Sequence, residues 1–434
     1  MAGGRRRRAA EHRRSESGRM TDSTDAQLAA QYEAYPYPAR DPRDEATRLV
    51  VGSPSHLREV DHWVFGARRP ASRPLNALMA GGGSGDGTVM LAQQMAWAGR
   101  PGRVTWLDRS AHARKVATAR AAMRGLGNIA FEEGSILELP RSGLGPFDYI
   151  DCCGVLHHLP DPAEGLAALV SVLAPGGGIG LMVYAPHGRT GVYMLQDALR
   201  LLAPPEEAPP ARVDVAKRLW KGLPETAWLK RNPWIEDHLK GGDAGLYDLL
   251  LNPRDVAFTV PQLAALVAGA GLRIACLVEP ARYDPDTWLT DPRLRARTAM
   301  LDPLARAALT EAMCGNMGIH IAYCVRATDP VAAPPWEDDA AVPVLRELDG
   351  PALAKGLRGD GVLPVTWDGL RSLLPVPRLA AAFLSRIDGR RSWGEITAGV
   401  VAAGASPEQA GRDRAALVAV MERLNRLLLA APPG

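Results

Sequence analysis

From Leu75 onward the chain alternates apolar strand-like runs with helical patterns, and few folds accommodate such an alternation. The strand candidates are LNALMA (75–80), RVTWLD (103–108), NIAFEE (128–133), FDYIDC (147–152), GIGLMVY (178–184), LRIACLV (272–278) and IHIAYCV (319–325). Helical segments fall near 87–98, 110–125, 162–173 and 261–270. Strand and helix repeated in this order predict an α/β fold, a mostly parallel sheet covered on both faces. The punctuation agrees in DPAEGLAALVSVLAPGGG. Asp161 is placed to cap the helix, Pro162 takes its first position, and Pro175 with the following glycines ends it.

The first strand runs into MAGGGSGDGT, residues 79–88. Glycines between a strand and a helix let backbone approach a ligand, and the helix N-terminus offers free N–H donors. A phosphate-binding loop of the form G-x-x-x-x-G-K-[ST] is excluded, because no lysine stands there. The dinucleotide fingerprint G-x-G-x-x-G is excluded as well. Starting from Gly81 it needs glycine at Asp86, and starting from Gly83 it needs glycine at Thr88. That spacing also opposes a hydride-transferring dehydrogenase. What fits is G-x-G-x-G, as Gly81, Gly83 and Gly85.

With this loop, VTWLDRS, EEGSILELP, FDYIDCCGVLHHLPDP and LAPGGGIGLMVY in order, residues 75–326 resemble the class I S-adenosylmethionine-dependent methyltransferases. The resemblance implies a Rossmann-like, seven-stranded sheet whose last strand is antiparallel. It implies S-adenosyl-L-methionine as cofactor, with Gly81, Gly83 and Gly85 under its methionine and ribose part. Asp108 matches the acidic residue that holds both ribose hydroxyls, a task suited to an acceptor-only carboxylate. Arg109 would flank the adenine, Ser135 takes the position near the adenine amino group, and Ile136 would pack on the ring. Backbone near Cys153 and Gly154 would pass the methionine end. Many relatives carry an acidic residue two positions before the first glycine. Here that position is Met79, so either the cofactor binds more weakly or Asp86, just after the loop, substitutes.

Methyl transfer from a sulfonium needs alignment and exclusion of water more than it needs a base. His157 is the catalytic candidate, as a base or as an orienter of substrate. The competing reading is that VLHH is a scaffold element whose histidines cap or pack.

At 434 residues the chain suggests two or three domains, and 47% hydrophobic with 23% charged residues is enough for a sizeable core. The net charge is +3, and seven arginines fall before Met20, so the body carries no basic stripe and nucleic acid is not an expected partner. Residues 1–30 read as a disordered basic tail, or as upstream sequence if translation starts at Met20; a basic arm for nucleic acid is the other reading. The five cysteines form neither a zinc pattern nor a disulfide framework, and no apolar run is long enough to span a membrane. Together these predict a cytoplasmic protein.

The remaining segments are read as follows. Residues 31–74 form a leader, in which Tyr35 and Tyr37 fold over the cofactor cleft or merely tether the chain. Residues 75–328 form the catalytic domain, with long inserts at 186–259 and 280–318 that fold over something functional. Within the first insert Tyr193, Asp197, His238, Tyr247, Asp248 and Arg254 are candidates for an acceptor pocket. The Pro- and acid-rich 329–343 is a linker. Residues 344–434 form a small, mainly helical domain. LAAAFLSRIDGRRSWGEI gives it a faint likeness to winged-helix peptide-binding domains, and an accessory or homodimerising role is the plainer alternative. The enclosed pocket points to a small-molecule or peptide methyl acceptor at O, N or C. The competing function is a non-catalytic scaffold that binds S-adenosylmethionine or S-adenosylhomocysteine and a protein partner.

Overall fold

The computed structural model describes residues 27, 33–35, 38–330, 333–357 and 361–433. Tyr37 and all of the basic tail but Gln27 lie outside them.

Seven strands form one sheet: β1 (Leu75–Ala80), β2 (Gly102–Asp108), β3 (Ile129–Glu133), β4 (Phe147–Cys153), β5 (Leu173–Tyr184), β6 (Leu272–Leu277) and β7 (Ile319–Arg326). Their order is β3-β2-β1-β4-β5-β7-β6. All pairs are parallel except those of β7, which is antiparallel to β5 and β6. This is the Rossmann-like sheet expected from the alternation and the resemblance. Parallel strands are buried on both faces, which is why they read as near-continuous apolar runs. One face packs on the helices Pro162–Ser171 and Val260–Gly269 through Leu166, Leu169, Leu263 and Val267.

The other face is covered partly by the helix Asp86–Trp97 and partly by the leader. A helical stretch, Leu57–Glu59, runs on as a π-turn through Val60–Val64 and packs with Tyr149 and Tyr323 of the sheet. Glycine in β5 makes room for the leader. A Cβ on Gly180 would stand 2.0 Å from Tyr149 Oη and 2.7 Å from Pro54 Cβ.

The first insert contributes the helices Val192–Leu202, Pro209–Gly222, Asp237–Lys240 and Gly242–Leu250, with a core of its own that includes Val213, Leu229 and Tyr247. It returns to the sheet edge through two backbone bonds, Val256 N–H to His157 O at 3.1 Å and Phe258 N–H to Tyr184 O at 2.8 Å.

After β7 the chain forms β8 (Pro343–Leu345), the hairpin β9 (Val362–Trp367) and β10 (Leu370–Pro375), helices Trp393–Ala402 and Pro407–Arg423, and β11 (Leu427–Leu429). Ser406 caps the last long helix, accepting from Gln409 N–H at 3.2 Å. The Gln409 side chain turns to Asp413 instead of closing a box with Ser406. The tip of the hairpin rests on the first insert, where a Cβ at Gly369 would fall 1.8 Å from Trp234 Cη2.

A buried carboxylate joins leader, sheet and C-terminal region. Glu59 accepts from Tyr323 Oη at 2.7 Å, Asn425 Nδ2 at 2.7 Å and Ser53 Oγ at 2.8 Å, and it pairs with Arg346. Both charges are out of water, so the pair is held by its geometry and its extra hydrogen bonds. Truncating Glu59 leaves a guanidinium buried without a counter-charge, which costs about 3–5 kcal/mol. Glu59→Ala is therefore expected to lower the urea unfolding free energy by that amount. A loss below about 1 kcal/mol would show that the network does not bind the segments together.

Candidate active site

The order of the strands reverses between β1 and β4. Their crossovers leave in opposite directions and open a crevice at the carboxyl edge, where such sheets bind ligands. The glycine loop lies in this crevice. Gly81, Gly83 and Gly85 have φ of 74°, 48° and 93°, a region open to glycine and costly for other residues. Their surroundings differ. A Cβ at Gly81 would lie 2.5 Å from Val155 Cγ2, and one at Gly85 2.9 Å from Ala117 Cβ. A Cβ at Gly83 would meet nothing nearer than Gly81 O at 4.0 Å. Two of the glycines thus serve internal packing, and Gly83 presents bare backbone to open space.

The Gly83 peptide is fixed from both sides. Its N–H donates to Asp108 Oδ2 at 2.8 Å, and its carbonyl accepts from Trp106 Nε1 at 3.0 Å. Asp108 Oδ1 accepts from Ser110 N–H at 2.9 Å. Each carboxylate oxygen keeps a further lone pair for another donor. Arg109 is exposed beside it. Ser135 caps the turn Ile136–Glu138, with its Oγ accepting from Leu137 N–H at 3.2 Å while Glu138 reaches back to the Ser135 N–H. Ile136 is 6% exposed, packed in the cluster that includes Leu107 and Leu156. Cys153, at the end of β4, is exposed.

Asp86 does not stand free to replace an acid at position 79. Its carboxylate takes a forked bond from Arg40 and another from Arg120, both at 2.6 Å at closest. Burial opposes its charge, but the two guanidiniums outweigh burial and lower its pKa. It anchors the leader across the start of the helix, as Glu45 does through Arg120 and Arg124. Nearer the cleft, Glu33 accepts from Ser110 Oγ at 3.1 Å, and Tyr35 stacks on Tyr247 of the insert at 5.3 Å. The described leader residues therefore cross over the glycine loop and reach the insert.

The carboxylate beside Met79 comes from the neighbouring strand. Asp151 pairs with Met79 in the β1–β4 register, so both side chains share a face. It accepts from the Ser55 hydroxyl and from Cys153 N–H at 3.1 Å, which fixes the start of the loop after β4. Burial pushes its pKa up to about 6.

Past β4, His157 is fully buried. It stacks on Tyr184 at 4.0 Å and meets His158 edge-on at 4.2 Å. Among the described residues neither of its ring nitrogens has a hydrogen-bond partner, and burial drives its pKa well below the ordinary histidine value, so it is neutral near pH 7. Arg189 lies over the opposite ring partner, 3.7 Å from the Tyr184 centroid. Its guanidinium pairs with buried Asp255 at 2.9 Å and donates to Tyr193 Oη at 3.2 Å. Tyr184 Oη donates to Asp248 at 3.3 Å, and His158 Nδ1 lies 2.6 Å from Arg254 O.

Of the six insert residues picked from the sequence, Tyr193, Asp248 and Arg254 gather around the histidines, and Tyr247 meets the leader. Asp197 points outward to Arg200, and His238 packs on Trp220 at 4.3 Å inside the insert. Sequence reasoning missed Tyr184, Arg189, Asp255, Asp151 and Ser55. Apart from aromatic and charged residue types near Gly-rich turns, no local signal marks them.

The raised carboxyl of Asp151 carries a pH signature. Moved from 3.8 to about 6, it holds its proton more tightly folded than unfolded. The stability it contributes is whole below about pH 4 and is lost as pH rises through 6, by roughly 3 kcal/mol. Urea melts of wild type and Asp151→Asn between pH 4 and 8 are expected to diverge in this sense, the wild type losing ground as pH rises. A difference that does not change with pH would contradict the assignment.

Comparison with known proteins agrees with this geometry. The family described as "Methyltransferase domain" matches residues 78–179. An uncharacterized protein of Synechococcus sp. is 30% identical over 298 residues, 67% of this chain and 69% of that protein. A ubiquinone biosynthesis O-methyltransferase of Caulobacter sp. is 33% identical over 156 residues, 35% of this chain; the match spans 58% of that enzyme's length. The structure of PKMT2 from Rickettsia typhi in complex with AdoHcy shares the fold, with a TM-score of 0.60 at 13% identity over 87% of this chain and 75% of that one. The chain belongs to the class I S-adenosyl-L-methionine-dependent methyltransferases.

Proposed function

We propose that this enzyme methylates a hydroxyl oxygen of a small-molecule acceptor enclosed by the 186–259 insert. The observation that carries the cofactor part is the open Gly83 backbone held against the Asp108 carboxylate. When bound, S-adenosyl-L-methionine supplies a methyl group already activated on a sulfonium. The chain holds, aligns and dries the site. Asp108 accepts the ribose hydroxyls through lone pairs that Gly83 and Ser110 leave open. Arg109, Ser135 and Ile136 border the adenine. Gly81, Gly85 and the loop at Cys153 follow the remainder, with Asp151 fixing that loop through the Cys153 N–H.

The oxygen acceptor is favoured by the likeness to ubiquinone biosynthesis O-methyltransferases and by the chemistry under the insert. A hydroxyl must lose a proton as it is methylated. His157 is neutral, and among the described residues neither ring nitrogen has a hydrogen-bond partner, so in this reading it takes that proton once the acceptor is seated against it. Arg189 and Tyr184 hold the ring's far side. Nitrogen and carbon acceptors need the same alignment; a neutral amine attacks first and sheds its proton afterwards, whereas a carbon nucleophile must lose a proton as a hydroxyl does. In this reading residues 75–328 are the catalytic body, residues 31–74 its strap, and residues 344–434 a brace behind the insert.

Calorimetric titration with S-adenosylhomocysteine tests the cofactor site. Asp108→Ala is expected to weaken binding by about 5- to 150-fold, the range of 1–3 kcal/mol for unpaired polar groups. Gly83→Val is expected to abolish binding, because a branched side chain would occupy the open space at a strained φ. Unchanged affinity in both variants would refute this site. With an acceptor in hand, His157→Ala is expected to lower turnover by roughly 10²- to 10⁴-fold while leaving S-adenosylhomocysteine affinity intact. Equal loss of both would make His157 a packing residue.

A further inference from the structure

A second cavity, of about 210 Å³, opens at the same edge of the sheet, where β6, β7, the leader and the C-terminal region meet. Its floor is Ile319 and Ile321 of β7, and its walls include Ser53, Glu279, Arg282 and Arg346. Register places it relative to the crevice. Cys153 pairs with Met182, Met182 with Ile321, and Tyr184 with Ile319. Directly paired residues face the same side, so the cavity floor shares a face with Cys153 and with the Tyr184 against which His157 stacks. Two strand spacings, about 10 Å, separate it from Cys153.

The charges in this cavity are specific. Behind it, Arg346 is neutralised by Glu59. Arg282 and Glu279 also line it, one of each sign, three residues apart on one turn, each with a partner at the rim, Asp368 for Arg282 and Arg426 for Glu279. Glu279 occupies the turn at φ 60°, in the left-handed region that non-glycine residues rarely adopt. Its carboxyl is held by the Trp367 side chain and, at 3.5 Å, by Arg426. Arg282 pairs outward with Asp368 of the hairpin tip, while its buried Nε has no hydrogen-bond partner among the described residues. A simple anion entering here would meet Glu279, and a simple cation would meet Arg282. A ligand end carrying both charges satisfies each without adding net charge to a desolvated space. A liquid water takes about 30 Å³, so the volume suits an amino-acid head with the beginning of its side chain.

We infer that this cavity binds the zwitterionic α-amino-acid end of the methyl acceptor, its carboxylate on Arg282 and its ammonium on Glu279, while the methylated atom reaches back about 10 Å toward Cys153. This rests on the methyltransferase reading for the direction of the reacting atom, and it narrows the acceptor to an amino acid or an amino-acid derivative.

The test is calorimetry on the full chain saturated with S-adenosylhomocysteine, so that the cofactor's own amino-acid subsite is filled. The probes are L-norleucine, N-acetyl-L-norleucine and L-norleucinamide. Norleucine is expected to bind at least tenfold more tightly than either single-charge analogue. Arg282→Gln is expected to weaken norleucine to the level of the amide and leave the amide unchanged. Glu279→Gln is expected to weaken it to the level of the N-acetyl compound and leave that compound unchanged. A folding defect would not produce this crossed pattern. Ile319→Phe, which fills the floor, should remove norleucine binding while S-adenosylhomocysteine still binds. The inference is overturned if norleucine does not bind, binds no better than its analogues, ignores all three variants, or competes with S-adenosylhomocysteine. Failure to bind S-adenosylhomocysteine at all would instead overturn the cofactor reading, and the norleucine series without it would still decide the cavity.

Discussion

The structure depends on one reversal. β1 and β4 lie side by side, and the chain leaves them in opposite directions, so neither crossover helix covers their carboxyl ends. The first loop must turn from strand to helix within this gap, and its left-handed glycines let it do so without filling the gap with side chains. The Asp108–Gly83–Trp106 clamp then fixes the loop before any ligand arrives. Preformed donors and acceptors need not be ordered on binding, which is the cheapest route to affinity.

A second tier of contacts closes the gap from above. The leader is fastened at Asp86 and Glu45 by arginines, and it reaches Tyr247 of the insert through Tyr35. The insert is fastened at His157 and Tyr184 by backbone bonds. The C-terminal hairpin rests on Trp234, and its Asp368 holds Arg282. Strap, insert and brace therefore meet around one edge, the insert tied by backbone bonds and the strap and brace by the buried pairs Glu45–Arg120 and Glu59–Arg346. Such pairs are poor sources of net stability but intolerant of misplacement. This suits a site whose chemistry depends on alignment and the exclusion of water.

The fold was legible because parallel strands carry their own signature. Each of the seven strand candidates overlaps an observed strand, since burial on both faces leaves an apolar run whatever the partner. The turn at the glycines and the place of Asp108 at a strand end were legible because both are local to a strand end. Asp151 was not, because what makes it matter is the sideways pairing with Met79 and the Ser55 hydroxyl, 96 residues away in sequence. Asp86 misled for the same reason: the sequence places a carboxylate beside the loop, but not the Arg40 and Arg120 that occupy it. Glu59 with Arg346, and Arg189 with Asp255, pair across 287 and 66 positions, and no local pattern announces either. Segment 329–343 reads as a linker from its prolines and acids, yet Trp336 within it bonds to Glu422 at 2.8 Å, a contact composition does not reveal.

The central claim is that the loop from Gly81 to Gly85 and the Asp108 carboxylate together hold S-adenosylmethionine. The most direct measurement is a structure of the protein with S-adenosylhomocysteine bound. The account predicts both ribose hydroxyls within hydrogen-bond distance of Asp108, the sugar against bare Gly83, the adenine beside Arg109 and Ser135, and the amino-acid end at Cys153. An adenosine bound elsewhere, with Asp108 still bonded only to Gly83 and Ser110, would contradict it.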